Sequence, residues 1–177
     1  EGAAAVVLAA DEAIAAYGLT PKAEVLGIGW NSDAFHYTSP NPETIVRTMH
    51  AAIDDAGLQP EDIQYINAHG TSTPKGDRTE VQCLREVFEK KIEQIPVSSN
   101  KSQLGHTLAA TAAIEAALTV EGMKEGVILP TINHIPDPEL ADIDVVPNIA
   151  RKQKYEIALS NAFGFGGTNC CVVFRGV

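Results

Sequence analysis

The sequence predicts a single layered α/β domain built on a mixed sheet, and three observations carry that expectation. Short apolar runs alternate with segments of helical periodicity along the chain. The last two apolar runs are separated only by a glycine-rich turn, which requires at least one antiparallel pair. No low-complexity linker divides the 177 residues, a length that supports one sizeable core.

Taken in order, Val6 to Ala9 is a short apolar run that reads as a buried strand. Asp11 to Tyr17 supplies one or two helical turns ended by Gly18. Ala23 to Trp30 is apolar and β-branched and reads as a strand, interrupted by two glycines. Asn31 to Asn41 is a polar loop punctuated by Pro40 and Pro42. Glu43 to Ala56 is an amphipathic helix, with Ile45, Met49, Ala52, Ile53 and Ala56 at helical spacing and Gly57 as its stop. Pro60-Glu61-Asp62 turns into the strand Ile63 to Asn67. A loop from Ala68 to Pro74 leads to a helix over roughly Asp77 to Lys91, and Ile95 to Ser98 is a short strand. Gly105 to Met123 reads as one long helix whose alanines predict burial. Gly126 to Asp144, with Pro130, Pro136 and Pro138, is loop-like. Glu156 to Ser160 and Asn169 to Phe174 are the closing strands, joined through Gly164-Phe165-Gly166-Gly167.

Bulk properties narrow the function. Hydrophobic residues make up 45% of the chain, yet no apolar run is long enough to span a bilayer, so a soluble globular protein is expected. A net charge of -10 argues against nucleic acid or an anionic membrane as the main partner. Cys83, Cys170 and Cys171 form no C-x-x-C pair and are too few for a disulfide framework, which fits a reducing, cytoplasmic setting. The opening Glu1-Gly2-Ala3-Ala4-Ala5 has no charged signal-peptide region, and the lack of a starting Met points to a piece cut from a longer protein. His36, His50, His69, His106 and His134 show no H-x-x-x-H or H-E-x-x-H spacing, so no metal site is expected.

Three segments are placed to carry chemistry. Asn67-Ala68-His69-Gly70-Thr71-Ser72-Thr73-Pro74 follows an apolar strand, where loops of α/β folds commonly bear sites; the same residues equally suit a capped turn and a helix cap. Ser98-Ser99-Asn100-Lys101-Ser102-Gln103-Leu104-Gly105-His106 again follows a strand, and here a solvated lysine and a capping histidine are the plain alternative. Two histidine loops that converge on one sheet edge make a site more probable than either loop separately. The third, Asn161-Ala162-Phe163-Gly164-Phe165-Gly166-Gly167-Thr168-Asn169, is not a nucleotide loop. Asn169 stands where the dinucleotide fingerprint needs a third glycine, and no helix follows to hold a phosphate. A hairpin turn needing positive φ is the simple reading, and Phe165 between glycines suits a movable gate.

In order and spacing these three segments resemble the β-ketoacyl synthase family, most closely its elongating condensing enzymes of type II fatty acid synthesis, over the whole chain. The resemblance implies the C-terminal half of a thiolase-like fold, with a mixed five-stranded sheet flanked by helices over residues 1–177. It implies that the nucleophilic cysteine lies in an N-terminal half absent from this sequence. Cys83, Cys170 and Cys171 fit no nucleophile motif and read as core residues. The reaction implied is decarboxylative condensation of malonyl-acyl carrier protein with an acyl thioester, with His69 and His106 as donors to the developing oxyanion. Lys101 is implied to support that charge network with Glu80 as its ion partner. Thr71 and Thr73 resemble the hydroxyls that bond the phosphopantetheine arm. Phe165, with Gly164, Gly166 and Gly167, resembles a gate, and Asp33 and His36 lie in a second loop expected to move with it. No cofactor is expected beyond the arm carried by acyl carrier protein. The partners implied are that carrier, the N-terminal half and a second copy in a homodimer, with the basic carrier-docking patch mainly on the other half.

The run Leu108-Ala109-Ala110-Thr111-Ala112-Ala113 departs from the glycine-rich helix start of many relatives, and its added methyls are expected to tighten packing behind the site. A non-catalytic partner of the same fold, such as a chain-length-determining subunit, is the competing reading; retention of His69, Lys101 and His106 argues against it. A stand-alone acyl-chain-binding domain would need a closed apolar pocket in this half. A half of this fold is also expected to expose an apolar face.

Overall fold

The computed structural model describes residues 1–177 and is organised around one five-stranded mixed sheet. β1 (Ala23–Ser32) pairs antiparallel with β7 (Thr168–Gly176), which pairs antiparallel with β6 (Ile157–Gly164). β6 lies parallel to β2 (Tyr65–Asn67), and β2 parallel to β3 (Val97–Ser98). The final hairpin therefore joins an antiparallel edge to a parallel half.

Side chains alternate across a strand, so neighbouring residues feed different cores. Ile66, Leu159 and Val173 enter the larger core, with Ile45, Met49 and Ile53 of α2 (Pro42–Asp55) and Cys83, Leu84 and Val87 of α3 (Pro74–Phe88). Their neighbours Tyr65, Ala158 and Phe174 enter a smaller core on the other face, with Met123 of α5 (Thr111–Glu125). The two glycines of β1 are explained by α2. A Cβ at Gly29 would lie 2.1 Å from the Thr48 carbonyl oxygen, and one at Gly27 2.4 Å from the Ala56 nitrogen. Removing those side chains lets helix and strand approach closely. On the opposite face of β1, Val25, Ile28 and Trp30 are exposed, an apolar row of the expected kind. No helix is long and apolar enough to cross a membrane.

Several elements differ from the sequence expectation. Val6 to Ala9 pairs with no strand and is exposed, because apolar character without a sheet partner does not make a strand. α1 (Asp11–Tyr17) does form and ends at Gly18 with φ 60°. The helix expected from Gly105 to Met123 starts late, at Thr111, and a short helix stands before Gly105 in place of the expected polar loop. α4 (Lys101–Leu104) stops at Gly105, φ 73°, and after a 3₁₀ turn over Leu108–Ala110 the chain re-enters helix at Thr111. Its burial is also not an alanine effect. α5 buries Thr111, Glu115 and Thr119 with Met123, a stripe at i, i+4 spacing, while Ala112 and Ala117 are exposed. β4 (Val127–Ile128), in the stretch that reads as loop, pairs with β5 (Arg151–Lys152), beyond it, both being too short to show periodicity.

Candidate active site

β2, β3 and β6 run parallel, so their carboxyl ends share one sheet edge, and the three segments that follow or form those ends meet there. They line a cavity of about 1080 Å³ that includes His69, His106, Thr71, Thr73, Phe163 and Phe165.

His69 lies two residues past β2. Its Nδ1 accepts the Phe163 backbone N–H at 3.3 Å, and its ring packs on Phe163 with centroids 5.4 Å apart. His106 follows α4, and its Nδ1 accepts the Leu108 N–H at 3.1 Å. A backbone N–H can only donate, so both rings carry their proton on Nε2. The two rings stand 5.7 Å apart, nearly perpendicular at 86°. Burial, then the charges of Lys101 and His106, pull His69 down to about 3. Burial and Lys101 also lower His106, whose ring is exposed at the cavity. Both imidazoles are neutral near pH 7, with two Nε2–H donors available to one space.

Glu80 is not the ion partner of Lys101. Its carboxylate accepts the N–H of His69 at 2.8 Å, the N–H of Gly70 at 2.8 Å and Asn161 Nδ2 at 3.2 Å, so it clamps the His69 loop to α3 and β6. Burial raises its pKa, opposed by the bonds from Gly70 and His69. The lysine instead donates from Nζ to Glu115 Oε1 at 2.7 Å, with the two side chains 4% and 2% exposed. Glu115 sits on the polar stripe of α5, which a helix read as an alanine-rich buried face concealed. An i, i+4 run of Thr111, Glu115 and Thr119 was the available signal.

The glycine turn and the second loop come together. Asp33 N–H donates to the Gly167 carbonyl at 3.0 Å, and Gly166 N–H to the Tyr37 carbonyl at 2.9 Å. Gly167 has φ 80°, and a Cβ there would fall 1.8 Å from Asp33 Oδ1, so the approach requires glycine. Phe165 stacks on Tyr37 at 5.4 Å and 19°, a contact no motif announced. Asp33 also accepts from Thr44 Oγ1 and Phe35 N–H, while His36 Nδ1 accepts Thr38 and Ser39 N–H within its own loop. Gly164 lies at the end of β6, beside the turn. Thr71 and Thr73 hydroxyls lie 3.1 Å from one another.

Of the cysteines, Cys83 and Cys171 are buried core residues, but Cys170 is half-buried and lines the cavity. Burial raises all three thiols, that of Cys83 to about 12, so none has the lowered pKa of an activated nucleophile. No group of three or more His, Cys, Asp or Glu is placed to hold a metal ion.

Residues 22–134 match the family described as the β-ketoacyl synthase C-terminal domain. The chain is 46% identical to 3-oxoacyl-[acyl-carrier-protein] synthase 2 of Staphylococcus aureus, over 99% of this chain and 44% of that protein. The crystal structure of a β-ketoacyl synthase from Burkholderia phymatum superposes with a TM-score of 0.88 at 44% identity, over 94% of this chain and 40% of that one. A type II polyketide ketosynthase, solved in complex with its acyl-carrier protein and bound to the hexaketide, gives a TM-score of 0.89 at 32% identity, over 94% and 41%. The chain thus spans less than half the length of these relatives, and its sheet and flanking helices are those of a thiolase-like ketosynthase. It belongs to the β-ketoacyl synthase family, as that family's C-terminal domain.

Proposed function

We propose that this chain supplies the histidine–histidine–lysine part of the active site of a 3-oxoacyl-[acyl-carrier-protein] synthase, an acyltransferase of fatty acid biosynthesis. The observation that carries the reading is the pair of neutral histidines, each with Nδ1 occupied by a backbone N–H and Nε2–H left free at one cavity. Loss of carbon dioxide from a malonyl thioester leaves an electron pair delocalised onto the thioester oxygen. Two fixed donors stabilise that oxyanion without reorganisation. The carbanion then attacks an acyl thioester on the nucleophilic cysteine, the new carbon–carbon bond forms, and the cysteine thiolate leaves. That cysteine comes from the N-terminal half.

Burial first, and then the charge of Lys101 in its pair with Glu115, lowers the pKa of both imidazoles and keeps them neutral. Thr71 and Thr73 bond the phosphopantetheine arm, and Phe165 in its turn of Gly164, Gly166 and Gly167 gates the acyl pocket, with Asp33 and His36 in the loop packed against it. The carrier is acyl carrier protein, the relative solved with such a carrier being the support. The working form is a homodimer in the cytoplasm, with no cofactor beyond the arm.

The test is condensation of malonyl- and acyl-acyl carrier protein by this chain alone and after mixing with the nucleophile-bearing half of its parent. The chain alone is expected to be inactive and the mixture active. A folded mixture that stays inactive overturns the reading and favours a non-catalytic partner subunit.

A further inference from the structure

The two histidines are held unequally. The His69 ring is packed on Phe163, whereas the His106 ring is exposed on a turn between two helices. Something other than packing must fix its orientation. Leu108 adopts φ 56°, a conformation that a branched side chain disfavours, and its N–H reaches His106 Nδ1. A second group meets the same nitrogen: Thr111 Oγ1 lies 3.1 Å from Nδ1. Thr111 is the first residue of α5 and buried, and its Oγ1 lies 3.0 Å from Thr107 Oγ1, one turn earlier.

The donor roles follow from the backbone bond. Leu108 N–H makes Nδ1 an acceptor, so the Thr111 hydroxyl donates to it, and Thr107 then donates to Thr111. We infer that Thr111 is a positioning residue for His106: the Leu108 N–H holds the proton on Nε2, and the Thr111 hydroxyl, backed by Thr107, fixes the ring's rotation. The inference rests on the proposed reading that His106 donates through Nε2. A ring flip would put Cδ2–H against the hydroxyl and against the Leu108 N–H, leaving both without their acceptor. It would also turn the catalytic donor away from the oxyanion. The alanines on either side of Thr111 have no group that could do this.

The test is ¹⁵N-histidine NMR on this chain with Thr111→Val, which keeps the shape and removes the hydroxyl, and Thr111→Ser, which restores it. The wild type and Thr111→Ser should show His106 as the Nε2–H tautomer in one ring orientation. Thr111→Val should show more than one His106 ring orientation, with His69 unchanged. In the reconstituted synthase, Thr111→Val should lower kcat about fivefold with KM unchanged, the worth of one net hydrogen bond. Thr111→Ser should stay within about twofold of wild type. A Thr111→Val protein with wild-type His106 resonances, or a Thr111→Ser protein that behaves like the valine, overturns the inference. If NMR behaves as expected but the wild-type synthase shows no condensation, the functional reading fails while the hold on His106 stands.

Discussion

The loop carrying His69 and the loop carrying His106 reach the same cavity by opposite means. His69 is held by residues distant in sequence: Phe163 meets its ring and Glu80 meets its backbone. His106 is held by residues two and five positions further along its own segment. The first arrangement is a property of the folded sheet and cannot exist without it. The second is a local turn that depends on one glycine, one strained leucine and a threonine. One site therefore combines a donor whose place is fixed by the core with one whose place is fixed by its neighbours in the chain.

The largest expected break in that comparison comes from Glu80→Ala. Two part-buried backbone N–H groups and buried Asn161 Nδ2 lose their acceptor, each at the low end of about 1–3 kcal/mol because water can reach the loop, so a loss of about 3–5 kcal/mol in urea unfolding is expected. A loss under about 1 kcal/mol would show that the clamp is not what holds the His69 loop.

Acid should separate the loops next. The His69 pKa falls from an unfolded value of about 6.5 to about 3. Its contribution to stability is fully present above the unfolded value and is lost as pH falls from about 6.5 towards 3, because the unfolded chain then binds the extra proton. Glu80 and Glu115, raised by burial, act in the opposite sense. Comparing slopes with a His69→Asn variant isolates the histidine, and the variant should lose less stability between pH 7 and pH 4. In an NMR titration His106, exposed and less shifted, should protonate before His69. The reverse order would contradict the assignment of burial.

The smallest effect is expected at Gly105. Its φ is 73° and ψ 178°, a region essentially confined to glycine, and nothing lies within 4 Å of an added Cβ, so Gly105→Ala carries backbone strain alone, about 1–3 kcal/mol. The change should move His106 resonances and leave those of His69 in place. Movement of both would show that the two loops are mechanically joined.

The same contrast explains what was legible in the sequence. The His69 loop, the glycine turn and the lysine could be placed because each stands at a strand end, and apolar strands announce their ends. The partner of Lys101 could not be placed. Glu80 is near His69 in the chain, but two amide N–H groups consume its carboxylate, and only the packing of α5 brings Glu115 to the lysine. The late start of α5 was hidden because Leu108 and the alanines keep helical composition through the turn, while the positive φ values of Gly105 and Leu108 leave no mark in periodicity. Val6 to Ala9 misled for the converse reason, since a strand needs a neighbour that local composition cannot supply.

The central claim is that His69 and His106 are two neutral donors to one oxyanion. Decarboxylation of malonyl-acyl carrier protein by the reconstituted synthase tests it most directly, because that step develops the oxyanion without requiring acyl transfer. His69→Ala and His106→Ala should each slow it by about 100- to 1000-fold, with the proteins still folded. Rates within about threefold of wild type for either variant would contradict the account.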